Sequence, residues 1–553
     1  MKKQFSKKNI NMKKIIPIIC VSLLLMFGAT SCSDFLTVNP QDSTPVEDYY
    51  TSEAAVRQNT ASLYGVVWRD YQLCFQWMAG DELSGDMYYT YDQEGQFYYA
   101  TFGANNTYTT QGWKGLYRVI AFANNIINDM PALASQNGVS DDVIQKAVAE
   151  ARCIRGMAYY FLTEYWGDVP IVYDNVKQAN EDLYRNTQSS VYEFIRRDLE
   201  FASETLPASD DAGRVTKWTA YGMLAKLHLT MASHLSDENS AANFALAKEY
   251  ALKVINESGL SLYPTYATMF DATANNSSES LAAVQCFAGG YGYGNGRNTA
   301  WSRGSVIVDV TWGAGKGPTI NLQNTFDAND IRRKWTYMTL DDYYSNLNTA
   351  AGGYTYKFVT TVDGVDIETA SPMLAHLKKY VIGRTTDGNG DVGDSQDASN
   401  NVYLLRLSDV YLCYVEACIG SGTSTTDATA LKCFNAIHHT RAGLAEVSSI
   451  SYDQLIKERR CEFAFEGVNF FDIKRMFYRD QQKALDYLNN MHREQYYVQS
   501  GNYSESTKNS RDGYTLYTAS TPITVTASQM YLPIPSSDVV SMPTLENDPV
   551  SFY

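Results

Sequence analysis

Two stretches of this chain combine aromatic rings with short polar side chains, the pairing that recognition of a sugar requires. Sugars offer C–H faces that stack on aromatic rings, and hydroxyls that need directional donors and acceptors. The first stretch, Trp77–Tyr108, carries Trp77, Asp81, Asp86, Tyr88, Tyr89, Tyr91, Tyr98 and Tyr99. The second, Phe287–Trp312, carries Tyr291, Tyr293, Arg297, Asn298, Trp301 and Trp312, several of them close to the glycines of Gly289–Gly296. Glycine beside an aromatic leaves the ring unshielded by neighbouring side chains. Trp77, Asp81, Tyr88, Tyr89, Tyr91, Tyr291, Tyr293, Arg297, Trp301 and Trp312 are therefore the candidate carbohydrate contacts. Trp77 also continues an apolar helical stretch, where it fits a core as well as it fits a platform.

Other constellations carry less. Glu458, Glu462, Glu466 and Asp472 invite comparison with the paired carboxylates of a glycosidase. They alternate with Arg459, Arg460, Arg475 and four phenylalanines on one helical stretch, a pattern expected of internal ion pairs. Asp387, Asn389, Asp391 and Asp394 have the rhythm of a calcium loop, and structural Ca²⁺ is the one cofactor considered; otherwise none is expected. An EF-hand would need Gly at Val392 and an acid at Ala398, so a solvated polar turn is the competing reading. Gly313–Gly317 lacks the first glycine and the Ser/Thr of a phosphate loop and is rejected as one. Seven cysteines remain after Cys20 and Cys32, with no Cys-x-x-Cys pair, which argues against a disulfide framework or a zinc knuckle.

The stretches that must hold these loops are helical. In Glu150–Val172, Ala151, Ile154, Ala158, Phe161 and Tyr165 fall on one face at steps of three and four. Gly167 then suits a left-handed end and Pro170 forbids more helix. Similar periodicity marks Glu53–Val67, Trp113–Asn128, Val191–Thr205, Lys217–Ser233 with Ala241–Ser258, Arg406–Ile419 with Ala428–Thr440, and Asp453–Arg475. Trp218, Tyr221, Gly222 and Ala225 approximate the first helix of a tetratricopeptide repeat. Residues 271–400 break the pattern with glycine-rich runs and alternation that suits short strands.

The full chain carries 45 basic and 61 acidic residues; residues 1–31 hold six Lys and no acid, so the charge from Cys32 onward is −22. Such a surface disfavours nucleic acid and anionic lipid. Lys13 and Lys14, the apolar run Ile15–Phe27 and Ala29-Thr-Ser-Cys32 read as a secretory signal with a lipobox, Met12 being a complete alternative start. Cys32 is the expected lipidation site, and an acyl anchor on Cys32 would be the only contact with a membrane. This divides the chain into a signal (1–31), a tether (32–50) and one domain (51–553). The helical scaffold is expected at about 51–270 and 404–480, and the loop-rich part at about 271–403 and 481–553.

Taken together, Cys32–Pro40, Trp113–Ile127, Ala149–Val172, Gly213–Leu229, Phe326–Arg333, Leu404–Ala417, Arg441–Leu444, Glu458–Met476 (ERRCEFAFEGVNFFDIKRM) and Leu532–Pro535 resemble the SusD/RagB family of outer-membrane nutrient-binding lipoproteins of Bacteroidetes. Val468-Asn469 departs from the basic residue the family usually places there. The resemblance implies a mainly α fold, four tetratricopeptide-like helical pairs packed against an irregular, loop-rich region with a few short strands. It also implies a non-catalytic, surface-facing protein that captures a glycan and passes it to a SusC-like TonB-dependent transporter. A peptide receptor of the RagB kind is the alternative, and a glycosidase a more distant one.

Overall fold

The computed structural model describes residues 49–553 apart from 291, 305, 313–314, 363–364, 369–372, 394–396, 500–505, 507–509, 511–514 and 519–522. Cys32 and the tether lie outside the described residues. The helices used below are α1 (Glu53–Thr60), α2 (Arg69–Cys74), α3 (Thr107–Asn128), α4 (Met130–Gln136), α5 (Asp141–Trp166), α6 (Gln188–Thr205), α7 (Lys217–Ala232), α8 (Ser240–Glu257), α9 (Arg297–Trp301), α10 (Leu407–Ile419), α11 (Ala428–Asn435), α12 (Tyr452–Phe463) and α13 (Asn469–Arg479). Four helical pairs, α3/α5, α7/α8, α10/α11 and α12/α13, stack with α6 inserted between α5 and α7. The fold is mainly α, as the periodicity predicts.

The periodic stretch that begins at Glu150 is the second half of α5, buried along nearly all of its length. Its face packs on α6 through Gly156, whose missing side chain leaves room for Leu199, and Arg155 donates to Asp198 at 2.7 and 2.8 Å. Phe161 stacks on Tyr71 of α2 with centroids 5.2 Å apart. Gly167 ends the helix at φ 75°, a conformation glycine adopts without strain. Helix α7 is apolar on almost every side and accordingly buried, its start fixed by a Thr216–Thr219 capping box.

The strands are short and pair two by two. Those needed here are β1 (Met87–Tyr88), β2 (Ser280–Val284), β3 (Gly317–Pro318), β4 (Tyr337–Thr339), β5 (Ala375–Leu377) and β6 (Val402–Arg406). β1 pairs with β3, β2 with β6 and β4 with β5, all antiparallel. The β2/β6 ladder delivers the chain directly into α10, so the loop-rich part is sewn into the helical layer.

The C-terminal segment straps across the end of α5. Leu532 N–H donates to the Tyr165 carbonyl at 2.8 Å, Trp166 Nε1 to the Pro533 carbonyl at 3.0 Å, and the buried Lys474 Nζ to the Met530 carbonyl at 2.7 Å. Burial pushes the Lys474 ammonium down to about 7, with Glu164 opposing the shift. An unfolded lysine titrates near 10.4. Between about pH 7 and about pH 10 the unfolded chain therefore binds more protons here, and this group's contribution to stability rises with pH. Lys474→Met is expected to remove that part of the slope. Urea unfolding of both proteins near pH 7 and pH 9 reads it, and identical slopes would count against the assignment.

Candidate functional site

The two aromatic stretches, far apart in sequence, approach one another at the β1/β3 ladder, whose second strand follows closely after Trp312. Its register pairs Met87 with Pro318 and Tyr88 with Gly317. In an antiparallel pair the chain leaves β1 at the same end by which it enters β3. Tyr89 and Tyr91 therefore emerge beside Lys316, with Trp312 four residues before it. Four residues span at most about 14 Å, which bounds the separation of the Trp312 and Lys316 backbones.

Three rings there are accessible to different extents. Tyr91 is 73% exposed and Trp312 51%, while Tyr89 is half-buried. Tyr89 and Tyr91 lie edge to face with centroids 6.5 Å apart. Trp312 is seated by its amide, which donates to the Thr299 carbonyl of α9 at 3.2 Å. A second exposed pair, Phe287 and Tyr293, has centroids 5.0 Å apart and a tilt of 38°. Its turn is closed by Phe287 N–H to the Tyr293 carbonyl and held by Gly290 N–H to Asp397 Oδ2 at 2.9 Å. Tyr291 lies outside the described residues.

Five candidates belong to the interior instead. Trp77 and Trp301 are buried in edge-to-face contact, centroids 5.6 Å apart. The Arg297 guanidinium lies 5.2 Å from each of their rings and donates to Gln72 Oε1 and Gln76 Oε1, both at 2.9 Å. On α9, Arg297 and Trp301 stand four residues apart, hence on one face, and that face is turned inward. Asp81 is fully buried and accepts from Phe465 N–H and Gly467 N–H, both at 3.0 Å, fixing the turn between α12 and α13. Burial and the neighbouring Asp86 push its carboxyl well above the usual range. Tyr88 is 9% exposed and packs against Tyr98 and Tyr497. None of these five presents a face to a ligand in this conformation.

The carboxylates of α12 and α13 are held in ion pairs. Glu462 accepts from Arg406 and Arg441 at 2.6 Å on one oxygen and from Arg332 at 2.9 Å on the other. Glu466 pairs with Arg406 and Lys379, and Asp472 with Arg459 and Arg475. A pair of acids flanking an open cleft, as glycoside hydrolysis needs, is not found among these residues.

Two residues of the calcium rhythm make hydrogen bonds within the chain. Asp387 accepts from Thr349 N–H at 2.8 Å and from Arg384 N–H at 3.0 Å. Asn389 donates to the Asn346 and Ile382 carbonyls at 2.6 and 2.8 Å. Those side chains tie two loops together, and the Asp391 carbonyl accepts from Ser399 N–H. Asp394 lies outside the described residues, and no group of three or more metal-ligating side chains occurs among the described ones.

The residue that sequence reasoning passed over is Lys316, set aside with the failed phosphate loop. It is buried, with Nζ 3.4 Å from the Tyr89 centroid and 2.7 Å from Glu94 Oε1. The same Glu94 oxygen accepts from Trp77 Nε1 at 2.9 Å. Beside it, burial and Glu94 push the Glu82 carboxyl well above its ordinary range. No local sequence signal pairs Lys316 with Tyr89; the ladder does.

Comparison with known proteins gives a consistent picture. The chain matches the SusD family over residues 245–550, and a family described as "Starch-binding associating with outer membrane" over residues 34–229. It is 33% identical to a SusD-like protein of Bacteroides ovatus over 97% of this chain and 98% of that one. It is 26% identical to SusD-like protein P2 of Formosa agariphila, over 68% and 73% of the two chains. A structure solved with xylogluco-oligosaccharide superposes with a TM-score of 0.79 at 30% identity, covering 90% of this chain and 99% of the other. No helix among the described residues is long and apolar enough to cross a membrane.

Proposed function

The chain belongs to the SusD/RagB family, and from that premise we propose that it is a non-catalytic, glycan-binding lipoprotein of the outer membrane. In this reading Cys32 carries the lipid, the domain faces outward, and captured oligosaccharide passes to a SusC-like TonB-dependent transporter. The observation that carries the glycan reading is the exposure of Tyr91 and Trp312 and the partial exposure of Tyr89, on segments that lead away from the same end of the β1/β3 ladder. Accessible rings set at fixed distances are what successive sugar faces need, and polar loops around them supply hydroxyl partners. The relative solved with xylogluco-oligosaccharide supports starting from that ligand class.

Calorimetry against xylogluco-oligosaccharide, soluble starch, other neutral polysaccharides and a peptide mixture is the direct test. Saturable binding of a glycan without release of reducing ends is the expected result. Binding of peptides alone would replace this reading with the RagB-like one, and robust release of reducing ends would replace it with a hydrolase.

A further inference from the structure

We infer that Lys316 is a positioning residue that joins the two aromatic loops into a single ligand platform, a role that rests on the glycan reading above. A ladder of two residues per strand is too short to be stable alone. Two features hold this one. Gly317 lies so close to β5 that a Cβ there would stand 2.5 Å from the Ala375 carbonyl oxygen. One step further along the ladder, Lys316 faces Tyr89, its ammonium lying between the ring and the Glu94 carboxylate.

The chemistry of that contact is specific. The ammonium is the only cation that the described residues place on the Tyr89 ring, and at 3.4 Å the attraction between cation and ring fixes both position and tilt. One face of Tyr89 is thereby covered by the ammonium. Glu94 in turn is tied to Trp77 and so to the rigid Trp77/Trp301/Arg297 cluster. Trp312 rests on the same cluster through the Thr299 carbonyl. Lys316 thus refers Tyr89 to the buried frame on which Trp312 is separately seated. A misplaced ring loses its stacking contact although it remains exposed.

Removing Lys316 alone would leave the Glu94 carboxylate buried without its ion-pair partner, so the informative variant is Lys316→Met combined with Glu94→Gln, in which the amide still accepts from Trp77. The probe is xylogluco-oligosaccharide, replaced by soluble starch if only that binds the unmutated protein. The double variant is expected to bind about tenfold more weakly, the change that follows from one displaced anchor ring. Its thermal unfolding midpoint should stay near that of the parent. Lys316→Arg, which keeps the ion pair and the contact with the ring, should recover most of the affinity. In addition, Trp312→Ala should cost less affinity in the double variant than in the parent, because the two act on one platform. Unchanged affinity in the double variant, when the parent binds and Trp312→Ala weakens it, overturns this inference and leaves the glycan reading standing. Absence of binding by the parent overturns that reading first. Should the double variant lose its unfolding transition, Lys316→Gln decides in the same way, since it keeps a donor for Glu94 and loses the charge over the ring.

Discussion

Alanine at Trp312 is expected to weaken glycan binding by ~1–3 kcal/mol with little change in folding stability, and alanine at Trp301 to lower folding stability by ~3–5 kcal/mol. The two tryptophans stand in the same glycine-rich stretch, yet their environments are opposite. Trp301 is fully buried and touches Trp77, Tyr380 and Phe465 at centroid separations of 5.6, 6.1 and 6.2 Å. Its removal opens a cavity under the Arg297 guanidinium, which would lose one of the rings it rests on. Trp312 is half in solvent and contributes little to the core. Calorimetry and thermal melts on the pair separate the two effects. A Trp312→Ala variant with unchanged affinity for every glycan the parent binds would place the platform elsewhere, with Phe287 and Tyr293 as the next rings to test.

The second large effect concerns Glu462. Three guanidinium groups, from Arg332, Arg406 and Arg441, converge on its two oxygens in a site closed to water. Burial by itself would raise the carboxyl pKa; Arg441, Arg406 and Arg332 outweigh it and hold the group well below its ordinary range. Glu462→Gln keeps the shape but removes the charge, leaving buried cations undercompensated at a cost of ~3–5 kcal/mol. Urea denaturation reads the loss directly, and a change below ~1 kcal/mol would show that Glu279, Glu458 and Glu466 suffice for these cations. The sign with pH follows from the lowered pKa. An unfolded glutamate takes up its proton near about pH 4.3, before the folded one does, so the stabilisation is fully present above that pH and lost as the pH falls toward the folded value. Glu462→Gln should therefore show a shallower loss of stability in acid than the parent.

Much of the architecture was legible before any coordinates. Ala151, Ile154, Ala158, Phe161 and Tyr165 define α5 because helical periodicity is a local property, repeated every three or four residues. The alternation of Glu, Arg and Phe in α12 and α13 signalled ion pairs within a core, since charges that stand among phenylalanines must be compensated there. The candidate site was legible only as two stretches. Within them Tyr91, Tyr293 and Trp312 remain exposed, whereas Trp77, Asp81, Tyr88, Arg297 and Trp301 turn inward. The composition of Phe287–Trp312 gives no sign of that division, because glycine-rich sequence frees a ring to stand out or to fold under with equal ease.

What the sequence by itself determined is the helices, two of their pairings and the family that shares them. These follow from short-range spacing and from caps such as Gly167 and the Thr216–Thr219 box. Only the tertiary structure decided which rings form a surface and which form its foundation. That choice depends on contacts between segments remote along the chain: Trp77 with Trp301, Glu94 with Lys316, Tyr88 opposite Gly317. Burial and juxtaposition are properties of where the chain returns, and a single strand of sequence does not contain its own return path. Lys316 makes the point at one residue: beside Gly315 and Gly317 it resembles a failed phosphate loop, and beside Tyr89 it fixes the platform.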